Sequence, residues 1–177
     1  FQIANDQAFI IRNTPPIEGI IRAKANNGVD PYDGSTLETW RERLADIFRS
    51  HLEVEREYTQ IRFIGIEDGG REIVRVNRLA EGYEIVDAQE LQRKGEEFYF
   101  QPGLMTPQDA IYTSPITVNR EFGGPSGDMT PTVRTIVSVR TPEGDPIGII
   151  VINSSSCPRV LAAFANCDLV HRITYYI

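Results

Sequence analysis

The sequence is poor in the residues that build metal and catalytic centres. Its 177 residues include two cysteines, Cys157 and Cys167, and two histidines, His51 and His171. Structural zinc needs clustered Cys and His ligands at short spacings, which Cys157, Cys167 and His171 do not supply. A Ser-His-Asp arrangement would have to use His51, inside a helical stretch, or His171, near the end of the sequence. No Gly-x-Ser-x-Gly elbow accompanies either. The glycine-rich stretch Gly123-Gly-Pro-Ser-Gly127 lacks the Lys-Ser/Thr ending of a phosphate loop. Acidic pairs such as Glu67-Asp68 and Glu96-Glu97 read as solvated turns or helix ends. The chain therefore reads as non-catalytic, with no metal and no cofactor implied.

Positive charge is also in deficit. Lys and Arg number 18 against 25 Asp and Glu, a net charge of −7 and a pI near 4.9. That balance argues against a nucleic-acid partner and against docking on anionic lipid. No apolar run approaches the length of a membrane span. No signal peptide is visible and the sequence starts at Phe1, so it reads as a piece of a longer protein. Residues Arg172 to Ile177 read as an edge or truncated strand.

The cysteines leave two readings open. A helix from Pro158 to Ala165, extended over both, would hold them about 15 Å apart. A disulfide needs Cα atoms within about 7 Å, so a bridge requires the chain to fold back after Ala165. Otherwise Cys157 and Cys167 are small, half-buried thiols.

Hydrophobic content of 41% and charged content of 24% suit one globular domain. Phe1, Ala4, Ala8 and Ile11 recur at helical spacing, and Pro15 and Pro16 open a second helix running to about Asn26. After a loop over Asn26–Gly34, Ser35-Thr-Leu-Glu38 reads as a capping box. It starts a helix to about Glu57, with Leu37, Trp40, Leu44, Ile47, Phe48 and Leu52 on one face.

Two strand-turn-strand stretches follow. Tyr58–Ile66 and Arg71–Asn77 flank Glu67-Asp-Gly-Gly70, and Thr132–Thr141 and Pro146–Asn153 flank Pro142-Glu-Gly-Asp145. Asp87–Lys94 reads as a short helix, and Ala110–Val118 as a strand broken by Pro115. Asn119–Pro131 reads as an exposed loop. Ile147–Ile152 is nearly continuous apolar sequence, as in a central strand covered on both faces. The order predicts an α+β domain with N-terminal helices on an antiparallel sheet.

An ordered motif set runs through residues 58–153. It comprises Tyr58-x-Gln-Ile-Arg-Phe-Ile, Gly70-x-Glu72-x-x-Arg75-Val, Leu91-Gln-x-Lys94, Phe98-Tyr-Phe100 and Tyr112-x-Ser-Pro115. Asn119-x-Glu121-x-Gly123, Pro131-x-x-Arg134 and Gly144-x-x-x-Gly148 before Val151-Ile-Asn153 continue it. Each motif alone is weak, but the ordered set resembles the extracytoplasmic PDC sensor domains, also called PAS-like or Cache domains. The resemblance implies a five-stranded antiparallel sheet carrying a ligand pocket. It divides the chain into a helical part, 1–57, and a sheet part with a C-terminal helix, 58–177. Together these form one sensor domain, with a first module of a tandem pair as the alternative.

The family's members are sensory parts of membrane-anchored histidine kinases, chemoreceptors and diguanylate cyclases. The resemblance thus implies a periplasmic segment of an inner-membrane, two-component histidine kinase. It would bind a small molecule and form a homodimer through its N-terminal helices. The Tyr, Arg and Trp-Tyr arrangement of the amino-acid-binding subtype is not found. The alternative is a ligand-free dimerisation or protein-interaction module of a chemoreceptor or diguanylate cyclase.

Arg62, Arg75 and Arg134 stand inside predicted strands, Arg62 in phase with Gln60 and out of phase with Ile61 and Phe63. A guanidinium grips carboxylate bidentately, which suits a small organic anion. The competing reading is internal pairing, Arg62 or Arg75 with Glu72 and Arg134 with Glu121. Tyr99, Phe100, Tyr112 and Ser114 fall where the family's pocket wall would lie. Phe100 and Tyr112 equally suit core packing. The expected ligand-binding set is Arg62, Arg75, Tyr99, Tyr112, Ser114 and Arg134.

Overall fold

A computed structural model describes residues 2–121, 124–125 and 131–155. Cys157, Cys167, His171, the expected Pro158–Ala165 helix and the expected Arg172–Ile177 strand lie outside the described residues, as does most of Gly123–Gly127.

Three helices open the chain: α1 (Gln2–Arg12), α2 (Pro15–Ala25) and α3 (Leu37–Val54). Thr14 precedes a proline and is extended, with φ −77 and ψ 146, so α1 stops there and Pro15 starts α2. The cap of α3 falls one residue later than the sequence predicts. Thr36, not Ser35, accepts from the Thr39 amide at 3.1 Å, so no Ser35–Glu38 box forms. Trp40, Leu44, Phe48 and Leu52 form the buried face of α3. Gly19 on α2 lets the Trp40 ring lie against the helix backbone, since a Cβ there would fall 2.2 Å from the indole.

The strands are β1 (Tyr58–Gly65), β2 (Glu72–Arg78), β3 (Tyr83–Ile85), β4 (Tyr112–Thr113) and β5 (Thr117–Val118). They continue with β6 (Arg120–Glu121), β7 (Gly124–Pro125), β8 (Pro131–Arg140) and β9 (Pro146–Ser155). Both predicted hairpins form. The main sheet is antiparallel and seven-stranded, in the order β3-β2-β1-β9-β8-β4, with β5 also on β8. This exceeds the five strands expected. The short edge strand β3 adds one, and the break at Ser114–Ile116 splits another into β4 and β5. The small pair β6–β7 stands apart. As predicted, β9 is central, with Gly148–Asn153 buried between β1 and β8.

One face of the sheet receives the helices. α1 packs on β8 and β9, and α3 on β1 and β2. Ile61, Phe63, Val74, Val76, Ile150 and Ile152 meet Ile11, Ile20, Leu44 and Phe48 there. The opposite face holds a smaller cluster of Ile64, Ile136, Ile149 and Val151 under Tyr99 and Phe100, the latter at the head of a short helix, Phe100–Met105.

Asp87–Lys94 is not a helix. Residues 88–90 form a turn and the segment then hydrogen-bonds to the first hairpin. The Glu72 amide donates to Gln92 O at 2.9 Å, and the Lys94 amide to Gly70 O at 2.8 Å. Pairing with an existing strand end satisfies these backbone groups in place of a short, marginal helix.

Candidate functional site: a buried cationic cluster on the helix-free face

Alternation along the strands decides which side chains reach the helix-free face. On β1 these are Gln60, Arg62 and Ile64, because Ile61 and Phe63 enter the helix-side core. Arg62 stands opposite Arg75 on β2 and Val151 on β9, while Arg134 on β8 stands opposite Asn153.

Glu72 joins them through a bulge. The register shifts between Phe63 and Ile64, so Glu72 pairs with Ile64 while Val74 pairs with Phe63. Ile73 and Val74 then both turn toward the helices, and Glu72 shares a face with Arg75 three residues on.

Arg62 and Glu72 are both buried, with Nη1 3.4 Å from Oε1. Arg62 Nη2 also donates to Asn153 Oδ1 at 3.3 Å. Arg75 lies 3.7 Å from Glu72 and 2.9 Å from Glu121, and its Nε donates to Asn77 Oδ1 at 3.0 Å. Glu121 closes over the cluster from β6. It accepts from Gln92 at 2.7 Å and Asn119 at 3.0 Å, and stands 3.8 Å from the buried Lys94 ammonium. Burial pushes the Glu121 carboxyl up, but Arg62, Arg75 and Lys94 outweigh it and hold it below the usual range. Burial, and then the charge of Arg62, lower the Lys94 pKa.

Arg134 is different. It is 1% exposed, yet among the described residues no carboxylate lies within 4 Å of it. Its Nη1 donates to Thr117 Oγ1 at 2.7 Å and Nη2 to Asn119 Oδ1 at 3.4 Å, both neutral acceptors. Among the described residues neither its buried Nε nor that of Arg62 has a hydrogen-bond partner. The guanidinium lies 5.0 Å from the Tyr99 ring centre and 5.6 Å from that of Phe98. Arg62 approaches the same Tyr99 ring at 5.9 Å. Burial, then the nearby Arg62, lower the Arg134 pKa to about 10.

The structure thus brings together Arg62, Arg75, Tyr99 and Arg134. Glu72 pairs with Arg62 and Arg75, but Glu121 turns to Arg75 and Lys94 and not to Arg134. Ser114 accepts from the Arg134 amide at 3.0 Å and donates to Pro115 O at 2.8 Å. Its hydroxyl thereby holds the β4 edge to β8. Tyr112 packs against the apolar half of the face, and Phe100 is buried there. Sequence reasoning missed Lys94 and Asn153 as members of the cluster. A polar residue closing the apolar run of β9 was the available signal for Asn153.

A cleft of about 240 Å³ on the helix side is lined by Ile20, Ile21, Phe63, Ile73 and Ile147. Its charged lining residues, Lys24 and Glu67, neutralise each other at 2.5 Å. Among the described residues there is no metal-binding cluster, and no helix is long and apolar enough to cross a membrane.

No protein-family model matches the sequence, and comparison with curated sequences finds no match. Solved structures do match. A domain described as belonging to a sensory box/GGDEF family protein from Vibrio parahaemolyticus superposes with a TM-score of 0.68 at 18% identity. That match covers 86% of this chain and 54% of the other. The extracellular domain of a protein described as the histidine kinase vpHK1S-Z8 gives 0.68 at 17% identity, over 86% and 51%. That of the histidine kinase soHK1S-Z6 gives 0.50 at 10%, over 65% and 43%. The chain spans about half the length of the solved structures it matches. Its fold matches that of these sensor domains, in keeping with the PDC (Cache) resemblance of its motifs.

Proposed function

We propose that the chain is the ligand-sensing domain of a transmembrane signalling receptor, with a sensor histidine kinase as parent. It binds a small organic anion on the polar half of the helix-free face. Arg134 carries this reading, as a buried guanidinium whose acceptors among the described residues are neutral, set against two aromatic rings. An unpaired buried charge is costly, and a carboxylate ligand would relieve that cost. In this reading Arg134 contacts the ligand while Tyr99 and Tyr112 wall the site. Arg62 and Arg75 set its potential, and Ser114 holds β4 to β8 beside it. Helix α1 packs on β8 and β9, the strands of Arg134 and Asn153. A ligand that favours one arrangement of those strands would bias the N-terminal helices, and through them a dimer in the membrane-anchored parent.

A second reading is a ligand-free interaction module. The Arg62–Glu72–Arg75–Glu121 network favours it, because it closes that part of the face with internal pairs.

A thermal-shift screen against small carboxylates separates the two. A ligand at about 100 times its dissociation constant adds about 2.7 kcal/mol of stability. The sensor reading expects such a shift and its loss in Arg134→Gln. A flat response at millimolar concentrations supports the interaction module.

A further inference from the structure

On the helix side of the sheet two clefts run into one another. The apolar cleft of about 240 Å³ shares Ile21 and Thr141 with a second cleft of about 600 Å³. Arg12, at the end of α1, and Arg140, at the end of β8, line the second. Their guanidiniums rest on one stretch of chain. Arg12 Nη1 donates to Gln108 O, and Arg140 Nη2 to Thr106 O at 3.2 Å. Their remaining acceptors are neutral too: Asn13 Oδ1 for Arg12, and Ser138 Oγ with the Gly144 and Leu104 carbonyls for Arg140. Among the described residues Arg12 Nη2 has no acceptor. The other charged side chains along the two clefts already face one another. Arg22 lies 2.7 Å from the buried Asp30, Glu18 lies 3.6 Å from Arg22, and Lys24 pairs with Glu67 on the apolar arm.

We infer that this joined groove is a second binding site, independent of the anion site on the opposite face, and that it takes a medium-chain fatty carboxylate. The carboxylate sits at Arg12 and Arg140, where a charged acceptor improves on neutral ones. The hydrocarbon chain passes Ile21 and covers Ile20, Phe63, Ile73 and Ile147, which removes apolar surface from water on both partners. The Lys24–Glu67 pair leaves that arm without net charge, so it offers a second charged headgroup nothing. Charge at one end and apolar surface at the other thus fix which way round the ligand lies. A short acid gains only the first, and an uncharged amphiphile only the second.

Hexanoate, octanoate and decanoate, each below its micelle concentration, test this by calorimetry, beside acetate, 1-octanol and octylammonium. Affinity should rise about fourfold with each methylene while the arm fills. Octanol should bind about tenfold or more weaker than octanoate, for want of the charged hydrogen bonds. Acetate and octylammonium should not register at this site. Octanoate should shift the Arg12 Nε–H resonance in NMR. Arg12→Gln should lose about tenfold for octanoate and nothing for octanol. Binding that ignores chain length would overturn the inference, as would octanol binding as tightly as octanoate. Octanoate shifting the Arg134 Nε–H and not that of Arg12 would overturn it while leaving the anion-sensing reading intact. A melting temperature that climbs with protein concentration and ignores the acids would give the groove to a second copy of the chain, and would overturn it as well.

Discussion

The Arg62 guanidinium meets the Glu72 carboxylate at 3.4 Å, both side chains buried, because β2 carries one more residue than β1 beside Phe63 and Ile64. Without that bulge Glu72 and Arg75, three residues apart, would point to opposite faces. Arg62 would then be a second buried cation without a carboxylate partner among the described residues.

Breaking the pair should be expensive. Arg62→Met removes one of the close partners of Glu72, leaving Arg75 and the Gln92 amide, and is expected to destabilise the fold by about 3–5 kcal/mol. Urea unfolding measures this. A loss below about 1 kcal/mol would mean that the pair does not hold the face together.

Arg134→Met should behave otherwise. It removes a buried charge that has no carboxylate partner among the described residues, so its stability cost should stay within about 1 kcal/mol, or turn into a gain. The same unfolding series reads the contrast. A residue kept at the expense of stability is the mark expected of a binding group. A cost equal to that of Arg62→Met would make Arg134 structural.

Gly19→Ala tests the helix layer. The added Cβ would clash with the Trp40 indole at 2.2 Å, and such overpacking should cost about 1–3 kcal/mol. The chain holds one tryptophan, so its fluorescence reports the displacement as well as the unfolding midpoint.

The loop after α2 should set the acid response. Asp30 is buried, and its hydrogen bonds from Arg22, at 2.7 and 2.9 Å, hold its pKa down to about 2. The unfolded carboxyl titrates near 3.9, so the unfolded chain binds more protons in between and stability rises with pH there. The contribution should be full above about pH 4 and lost as pH falls through about 2. Urea midpoints for the unaltered chain and Asp30→Asn should therefore converge toward pH 2 and separate above pH 4. Parallel curves across that range would contradict the assignment.

Periodicity made much of this fold legible. The apolar stripe of α3 and the alternation in β1 needed only helix and strand geometry, and the unbroken run of β9 marked its central place. Glu72 shows where that logic ends. Its pairing with Arg62 and Arg75 was among the readings the sequence offered, but counting alternate residues along β2 would assign it to the other face, because a bulge is a property of two strands together. Asp87–Lys94 failed for a related reason. Its local pattern suits a helix, but the first hairpin offers its backbone better partners at Gly70 and Glu72. The sequence proposed Glu121 as a partner for Arg134, yet Gln92 and Lys94 draw it to Arg75 from a segment whose path the sequence does not reveal. Arg134 itself was recognisable as a cation within a strand. That no carboxylate among the described residues pairs with it emerged only from the assembled sheet.

The most direct measurement follows the arginine Nε–H resonances of the ¹⁵N-labelled chain by NMR during titration with the best-binding acid of the screen. The account predicts a saturable shift of the Arg134 Nε–H, with the dissociation constant found by calorimetry, and its absence in Arg134→Gln. Saturable shifts confined to the helix-side cleft around Ile20, Phe63 and Ile147, with Arg134 unmoved, would contradict it.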